Sequence, residues 1–250
     1  MEEKVLAILQ GTAIVICSFA VLILVAALLS RIFVKENRKS RSFWSRYAGI
    51  YNRFMKKDQS AYLEICRLIR PVIKDKTVLE LATGTGLMAK QLVHDAKSIE
   101  ATDYSEEMIR EAKKGNYSKK LHFSVQDMFS LPYADESFEI ILVSNALHVV
   151  PNPEKALSEI RRVLKNEGVL IAPTFVHANL GIRAKAKAAV MKIFGFPLHH
   201  AWTAQEYETF LSVNGWKVQK GITLKASFPL FYAECVKAKD AYTSHDERPG

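Results

Sequence analysis

Cysteine is scarce: Cys17, Cys66 and Cys235 are the only three in 250 residues, widely separated. No pair has disulfide-framework or metal-ligand spacing with its neighbours, so a stapled secreted fold and a structural zinc site are both excluded, and no metal is expected. Charge is absent in one place, since Val5 to Ser30 carries no ionisable side chain apart from the Cys17 thiol. No internal repeat exists. Excess charge is modest elsewhere, with 35 Lys and Arg against 26 Asp and Glu, a formal +9. Much of that surplus sits in one run after the apolar stretch, so no nucleic acid is expected as a partner.

The apolar stretch is 26 residues long, and a helix of that length reaches roughly 39 Å, enough to cross a hydrocarbon core of about 30 Å with some tilt. A cleaved signal peptide would open with a basic region and a shorter apolar core, whereas this chain opens Met1-Glu2-Glu3-Lys4. An uncleaved anchor is expected over residues 1–34, with the span at about 5–30. Arg31, Lys35, Arg38, Lys39 and Arg41 follow it and only Lys4 precedes it. Basic residues collect on the cytoplasmic side, which predicts a single-pass membrane protein with its catalytic domain on the cytoplasmic face.

Residues 35–42 read as a basic linker, 43–236 as one α/β domain, and 237–250 as a disordered polar tail. Within the domain, apolar runs at Thr77–Ala82, Ser98–Thr102, His122–Val125, Ile140–Ser144 and Gly168–Phe175 alternate with helical patterns at Leu87–Ala96, Ser105–Lys114 and Pro153–Leu164. Such alternation predicts βα units around a parallel sheet. A helix around Thr203–Val213 and strands at Trp216–Leu224 and Phe228–Val236 follow, the last two spaced to pair as an antiparallel hairpin. The fold class is α/β, a Rossmann-like seven-stranded sheet with a C-terminal hairpin, preceded by one transmembrane helix.

The first strand ends Glu80-Leu81-Ala82 and turns through Thr83-Gly84-Thr85-Gly86 into a helix. Glycine there admits a close ligand and exposes backbone N–H groups. By itself the loop fits NAD, S-adenosylmethionine or a tight turn holding nothing. Asp103 ends the second strand, at the same sheet edge, where a carboxylate can accept both hydroxyls of a ribose. NAD and S-adenosylmethionine both carry that ribose.

Four motifs stand in order: ELATGTG, EATDYSEEMI, QDMFSLPYADESFEIILVSNALHVV and ALSEIRRVLKNEGVLI. In this order the chain resembles the class I S-adenosylmethionine-dependent methyltransferases, over roughly Tyr47 to Val236. The likeness is strongest to the branch of ubiquinone/menaquinone and phospholipid N-methyltransferases. The resemblance implies S-adenosyl-L-methionine as cofactor. It implies that Glu80 fixes the methionine end, that Ala82, Gly84 and Gly86 let the backbone pass close, that Asp103 binds ribose and that Tyr104 packs near adenine. Asp127 and the Met128 N–H would read adenine, and Asn145 is a further cofactor-binding residue. Two departures exist: Ala82-Thr83 where many members have glycine and another small residue, and Asn166-Glu167-Gly168 where Pro-Gly-Gly is usual.

Methyl transfer from a sulfonium needs alignment in a dry pocket, and a base only when the nucleophile arrives protonated. His148, just past the fourth strand, is the candidate catalytic residue, with a packed histidine as the competing reading. Phe43, Trp44, Tyr47, Ile50, Tyr51 and Phe54 recur at helical spacing. In the family a Tyr-containing segment folds over the cofactor; a core helix or an interfacial helix are the alternatives. Leu180–Phe194 is a second amphipathic stretch, basic on one face. Lys35 to Ser42 spans at most about 29 Å, so the domain is held near the bilayer. The expected acceptor is therefore a lipid, a quinone-like ring or a hydrophobic small molecule, with a soluble metabolite or protein as the alternative. Oligomeric state and the atom methylated are not legible.

Overall fold

In the computed structural model, residues 43–53, 55–116, 118–176 and 196–238 are described. The chain divides into two units, Met1–Ser40 and Arg41–Gly250, and all described residues belong to the second. The expected span with its linker, the stretch Leu180–Phe194 and the tail past Ala238 lie outside the described residues. Among the described residues no helix is long and apolar enough to cross a membrane.

Residues 43–53 form helix α1. A short 3-10 turn, Lys56–Asp58, leads into α2 (Gln59–Ile73), which the sequence reading did not anticipate. Its Ala61, Tyr62, Ile65, Cys66, Ile69 and Ile73 recur every three or four residues and are all buried, so one stripe of the helix faces the core. Pro71 falls in the last turn, where few helix bonds remain to be lost.

The sheet is built from β1 (Thr77–Leu81), β2 (Ser98–Asp103), β3 (Leu121–Val125), β4 (Phe138–Val143), β5 (Leu164–Ile171), β6 (Thr174–Phe175), β7 (Trp216–Leu224) and β8 (Leu230–Lys237). Its order is β3-β2-β1-β4-β5-β8-β6, with β7 on the other side of β8. The first five are parallel, and β8 runs antiparallel to β5, β6 and β7. The Rossmann-like core and the antiparallel hairpin are thus as expected, but the count is eight, not seven. The expected fifth strand, Gly168–Phe175, is broken at Pro173, which has no N–H for the ladder. Its two pieces, β5 and β6, pair with the same strand, β8.

Helices α3 (Ala89–Leu92), α4 (Glu106–Lys113), α5 (Pro153–Val163) and α6 (Ala204–Val213) complete the domain. Helix α3 is shorter than expected because residues 84–88 and 93–95 are turn. Ser105, Asn152 and Thr203 cap α4, α5 and α6 through their side-chain oxygens, and Thr203 with Glu206 forms a capping box. Strand β5 begins directly after α5, running through Asn166-Glu167-Gly168. A Cβ on Gly168 would stand 2.6 Å from Leu164 Cδ1 and 2.9 Å from the Glu139 carbonyl, which explains glycine there. One continuous core joins Ile65 and Ile69 of α2, Leu92 of α3 and Val78, Ile99 and Leu142 of the sheet.

Candidate active site

Strand order reverses between β1 and β4, and a crevice at the carboxyl ends of the strands is where such folds bind ligands. Strand β1 delivers Glu80 to this edge, followed by Ala82 at φ +51°, Gly84 at φ +57° and Gly86 at φ +75°. Ala82 keeps a left-handed conformation that costs a non-glycine residue about 1–2 kcal/mol; the departure from glycine changes the residue and not the turn. Thr83 N–H donates to the Thr102 carbonyl at 2.9 Å, tying the loop to β2.

Asp103 is the organiser of the loop. Its Oδ2 accepts from Gly84 N–H at 2.9 Å and its Oδ1 from Ser105 N–H at 2.8 Å. Each oxygen has a second lone pair for a ligand hydroxyl. Burial pushes its carboxyl up to about 6, with the N–H groups of Ser105, Gly84 and Tyr104 working against the rise. Glu80 is 3% exposed, and its Oε2 has no hydrogen-bond partner among the described residues. Burial lifts its carboxyl to about 8, and Asp103 adds to the rise.

Helix α1 lies over this loop. Tyr51 Cε1 is 3.6 Å from where a Gly84 Cβ would stand, and Asn52 Oδ1 accepts from the Thr85 hydroxyl at 2.5 Å. Burial first, then Asp103 and Glu80, push the Tyr51 hydroxyl up to about 12. Ser45 fastens the same helix to α4 by donating to Glu107 at 2.5 Å. Phe43 and Trp44 meet Phe196 edge-on at 5.8 and 5.7 Å, closing an aromatic wall at one side.

The remaining predicted residues come to the same edge. Asp127, after β3, accepts Phe129 N–H at 2.9 Å, with Met128 half-buried beside it and Tyr104 at the end of β2 40% exposed. Arg162 braces the following loop by donating to the Leu131 and Tyr133 carbonyls. Asn145, at φ +52°, caps β4. Its Oδ1 accepts Phe175 N–H at 3.0 Å and its Nδ2 donates to the Tyr62 hydroxyl at 2.6 Å. His148 is buried, with Nδ1 2.9 Å from the Thr174 hydroxyl. Its carbonyl accepts the N–H groups of His199 and His200 at 3.1 and 3.0 Å. Sequence reading missed Asn52, Tyr62 and Thr174, all of which act through contacts distant along the chain. Among the described residues no three His, Cys, Asp or Glu side chains group to hold a metal ion.

Comparison with known proteins agrees with this geometry. Residues 79–172 match the methyltransferase-domain family. A demethylmenaquinone methyltransferase of Thermobifida fusca is 30% identical over 161 residues, 60% of this chain and 66% of that protein. The ubiquinone/menaquinone biosynthesis C-methyltransferase of Rickettsia bellii is 35% identical over 111 residues, 40% of this chain and 45% of that one. The match thus spans about half the length of several curated relatives. Among solved structures, the 1,6-didemethyltoxoflavin-N1-methyltransferase of Burkholderia thailandensis shares the fold at TM-score 0.67 and 14% identity, covering 83% of this chain and 91% of that one. Residues 79–172 thus match a methyltransferase domain, and over this stretch the chain is similar to demethylmenaquinone and ubiquinone/menaquinone methyltransferases, enzymes that point to S-adenosylmethionine as the cofactor.

The site fits that cofactor. An unpartnered buried oxygen on Glu80 suits an ammonium group, and Asp103 has lone pairs for ribose hydroxyls. This carries a pH prediction. Both carboxyls titrate higher in the folded, ligand-free domain than the ordinary values of 4.5 and 3.8. Between those values and the folded ones the native state binds more protons than the unfolded chain, so ligand-free stability declines as pH rises from about 4 to 8. A ligand that favours both ionised forms must expel protons near neutrality. Calorimetric titration with S-adenosylmethionine in two buffers of different ionisation enthalpy is expected to show proton release at pH 7 and tighter binding at pH 8 than at pH 6; buffer-independent enthalpies would contradict it.

Proposed function

We propose that this enzyme methylates a lipophilic, quinone-like acceptor at the cytoplasmic surface of a membrane. The observation that carries the acceptor class is the similarity to demethylmenaquinone and ubiquinone/menaquinone methyltransferases, while the uncharged run Val5–Ser30 and its basic flank support the membrane address.

In this reading S-adenosylmethionine supplies a methyl group already activated on sulfur. Glu80 holds its amino group, Asp103 its ribose, and Asp127 with the Met128 N–H its adenine, while Ala82, Gly84 and Gly86 let the backbone approach. Tyr104 packs at the adenine side and Asn145 shapes the edge past β4. Tyr51 and the wall of Phe43, Trp44 and Phe196 exclude water, so that the chain's contribution is orientation within a dry pocket. His148, oriented by Thr174, takes a proton when the acceptor arrives protonated.

The test supplies methyl-labelled cofactor to the full chain with quinol acceptors in liposomes and with soluble acceptors. Label is expected in the liposome-borne quinol. Deleting residues 1–34 should lower that rate about tenfold by lowering the effective concentration of acceptor, and leave soluble acceptors unaffected. Equal rates on liposomes would remove the membrane part of the proposal, and label only in soluble metabolites would remove the acceptor class.

A further inference from the structure

Tyr62 is a tyrosine of α2 whose hydroxyl reaches the sheet edge, although its ring belongs to the core. The orientation of its partner is settled by a third residue. Asn145 Oδ1 must face Phe175 N–H, which donates to it at 3.0 Å, so the Asn145 amide nitrogen faces Tyr62 and donates to its oxygen at 2.6 Å. The Tyr62 hydroxyl therefore uses a lone pair on Asn145 and still has its own proton to give. Among the described residues that proton meets no acceptor, although the residue is only 8% exposed. Asp58 is close enough to affect its titration, but the hydrogen bond of that carboxylate is with Ser227 N–H at 2.5 Å.

A buried donor without an acceptor costs about 1–3 kcal/mol, and such groups in a crevice are satisfied by what binds there. The position narrows the ligand. In the reading above, Glu80, Gly84 and Asp103 on β1 and β2 hold the cofactor, and Asp127 extends it toward β3. The Tyr62 hydroxyl instead engages Asn145 at the end of β4 and, through it, Phe175 of β6. That is the half of the edge left for the methyl acceptor. It lies at the switch between β1 and β4, beside Tyr51, where the two halves meet.

We propose that Tyr62 is an acceptor-binding residue whose hydroxyl donates to an oxygen of the methyl acceptor, selecting molecules with a carbonyl or phenolic oxygen near the methylated atom. This rests on the methyltransferase reading with an acceptor seated over β4 to β6. Burial holds the Tyr62 hydroxyl protonated far above neutrality, so it serves as a donor and not as a base. The N–H of Asn145 pointed at its oxygen polarises it further, as in any chain of hydrogen bonds.

The experiment compares binding of two probes to the full chain loaded with S-adenosylhomocysteine, without oxygen in the solution: a short-chain prenyl 1,4-naphthoquinol and the prenylnaphthalene lacking both oxygens. The wild type is expected to prefer the quinol by about tenfold or more, and Tyr62→Phe to reduce that preference below about threefold. S-adenosylhomocysteine affinity should stay within about twofold, which also reports that the variant is folded. Asn145→Asp is a second variant: its Oδ1 can still accept Phe175 N–H, while its other oxygen captures the Tyr62 proton, so the preference should fall in the same way. No preference in the wild type, or a preference that survives both variants, would overturn the proposal. So would Tyr62→Phe weakening S-adenosylhomocysteine and not the quinol, which would assign the hydroxyl to the cofactor. Methyl transfer to the quinol is scored separately: preference without transfer keeps Tyr62 as an oxygen-binding residue and removes the quinol as the substrate.

Discussion

Replacing Asp103 by alanine is expected to weaken S-adenosylmethionine binding by about 10- to 150-fold, the equivalent of a charge-assisted contact worth about 1.5–3 kcal/mol. The side chain has two tasks. It offers lone pairs to the ribose, and it anchors the turn by accepting Gly84 N–H at one oxygen and Ser105 N–H at the other. Asparagine is expected to be no better than alanine, because its amide nitrogen would point a donor at one of those two N–H groups. Calorimetry on the wild type and both variants checks this, and an asparagine variant with wild-type affinity would show that the carboxylate does not organise the loop.

Gly86→Ala is expected to act on the fold itself. At φ +75° a Cβ is strained, at about 1–2 kcal/mol. It would also stand 2.8 Å from Phe123 Cζ and 3.4 Å from Ala112 Cβ, and overpacking adds about 1–3 kcal/mol. Together these predict a loss of about 2–5 kcal/mol, or roughly 5–15 °C in Tm for a domain of this size. Gly84→Ala separates the two causes. Its φ is +57°, but the nearest atom to its Cβ is Tyr51 Cε1 at 3.6 Å, ordinary contact, so it should lose only the backbone part, about 1–2 kcal/mol. Equal Tm shifts in the two variants would show that Phe123 gives way freely.

The parallel strands were legible because their residues are apolar on both faces: Val78, Leu79 and Leu81 of β1 and Ile140 to Val143 of β4 are all buried. The loop and Asp103 were legible from short-range spacing. Helix α2 was not read, because its buried stripe is interspersed with Glu64, Arg67 and Arg70 and the helix contains Pro71 before its last buried residue, Ile73. The break at Pro173 fell inside a run that reads as one strand. What the sequence could not express is pairing across distance: Tyr62 with Asn145, His148 with Thr174, and Asn52 with Thr85 are set by the fold. The isolation of Glu80 Oε2 is likewise a property of packing, invisible in the motif that contains it.

The central question is which nucleoside the β1–β2 edge holds. Titration calorimetry of the full chain with S-adenosylmethionine, S-adenosylhomocysteine and NADH decides this in one set of measurements. Saturable one-to-one binding of both S-adenosyl compounds and no heat with NADH is the predicted result; saturable NADH binding, or no binding of either S-adenosyl compound, would contradict it.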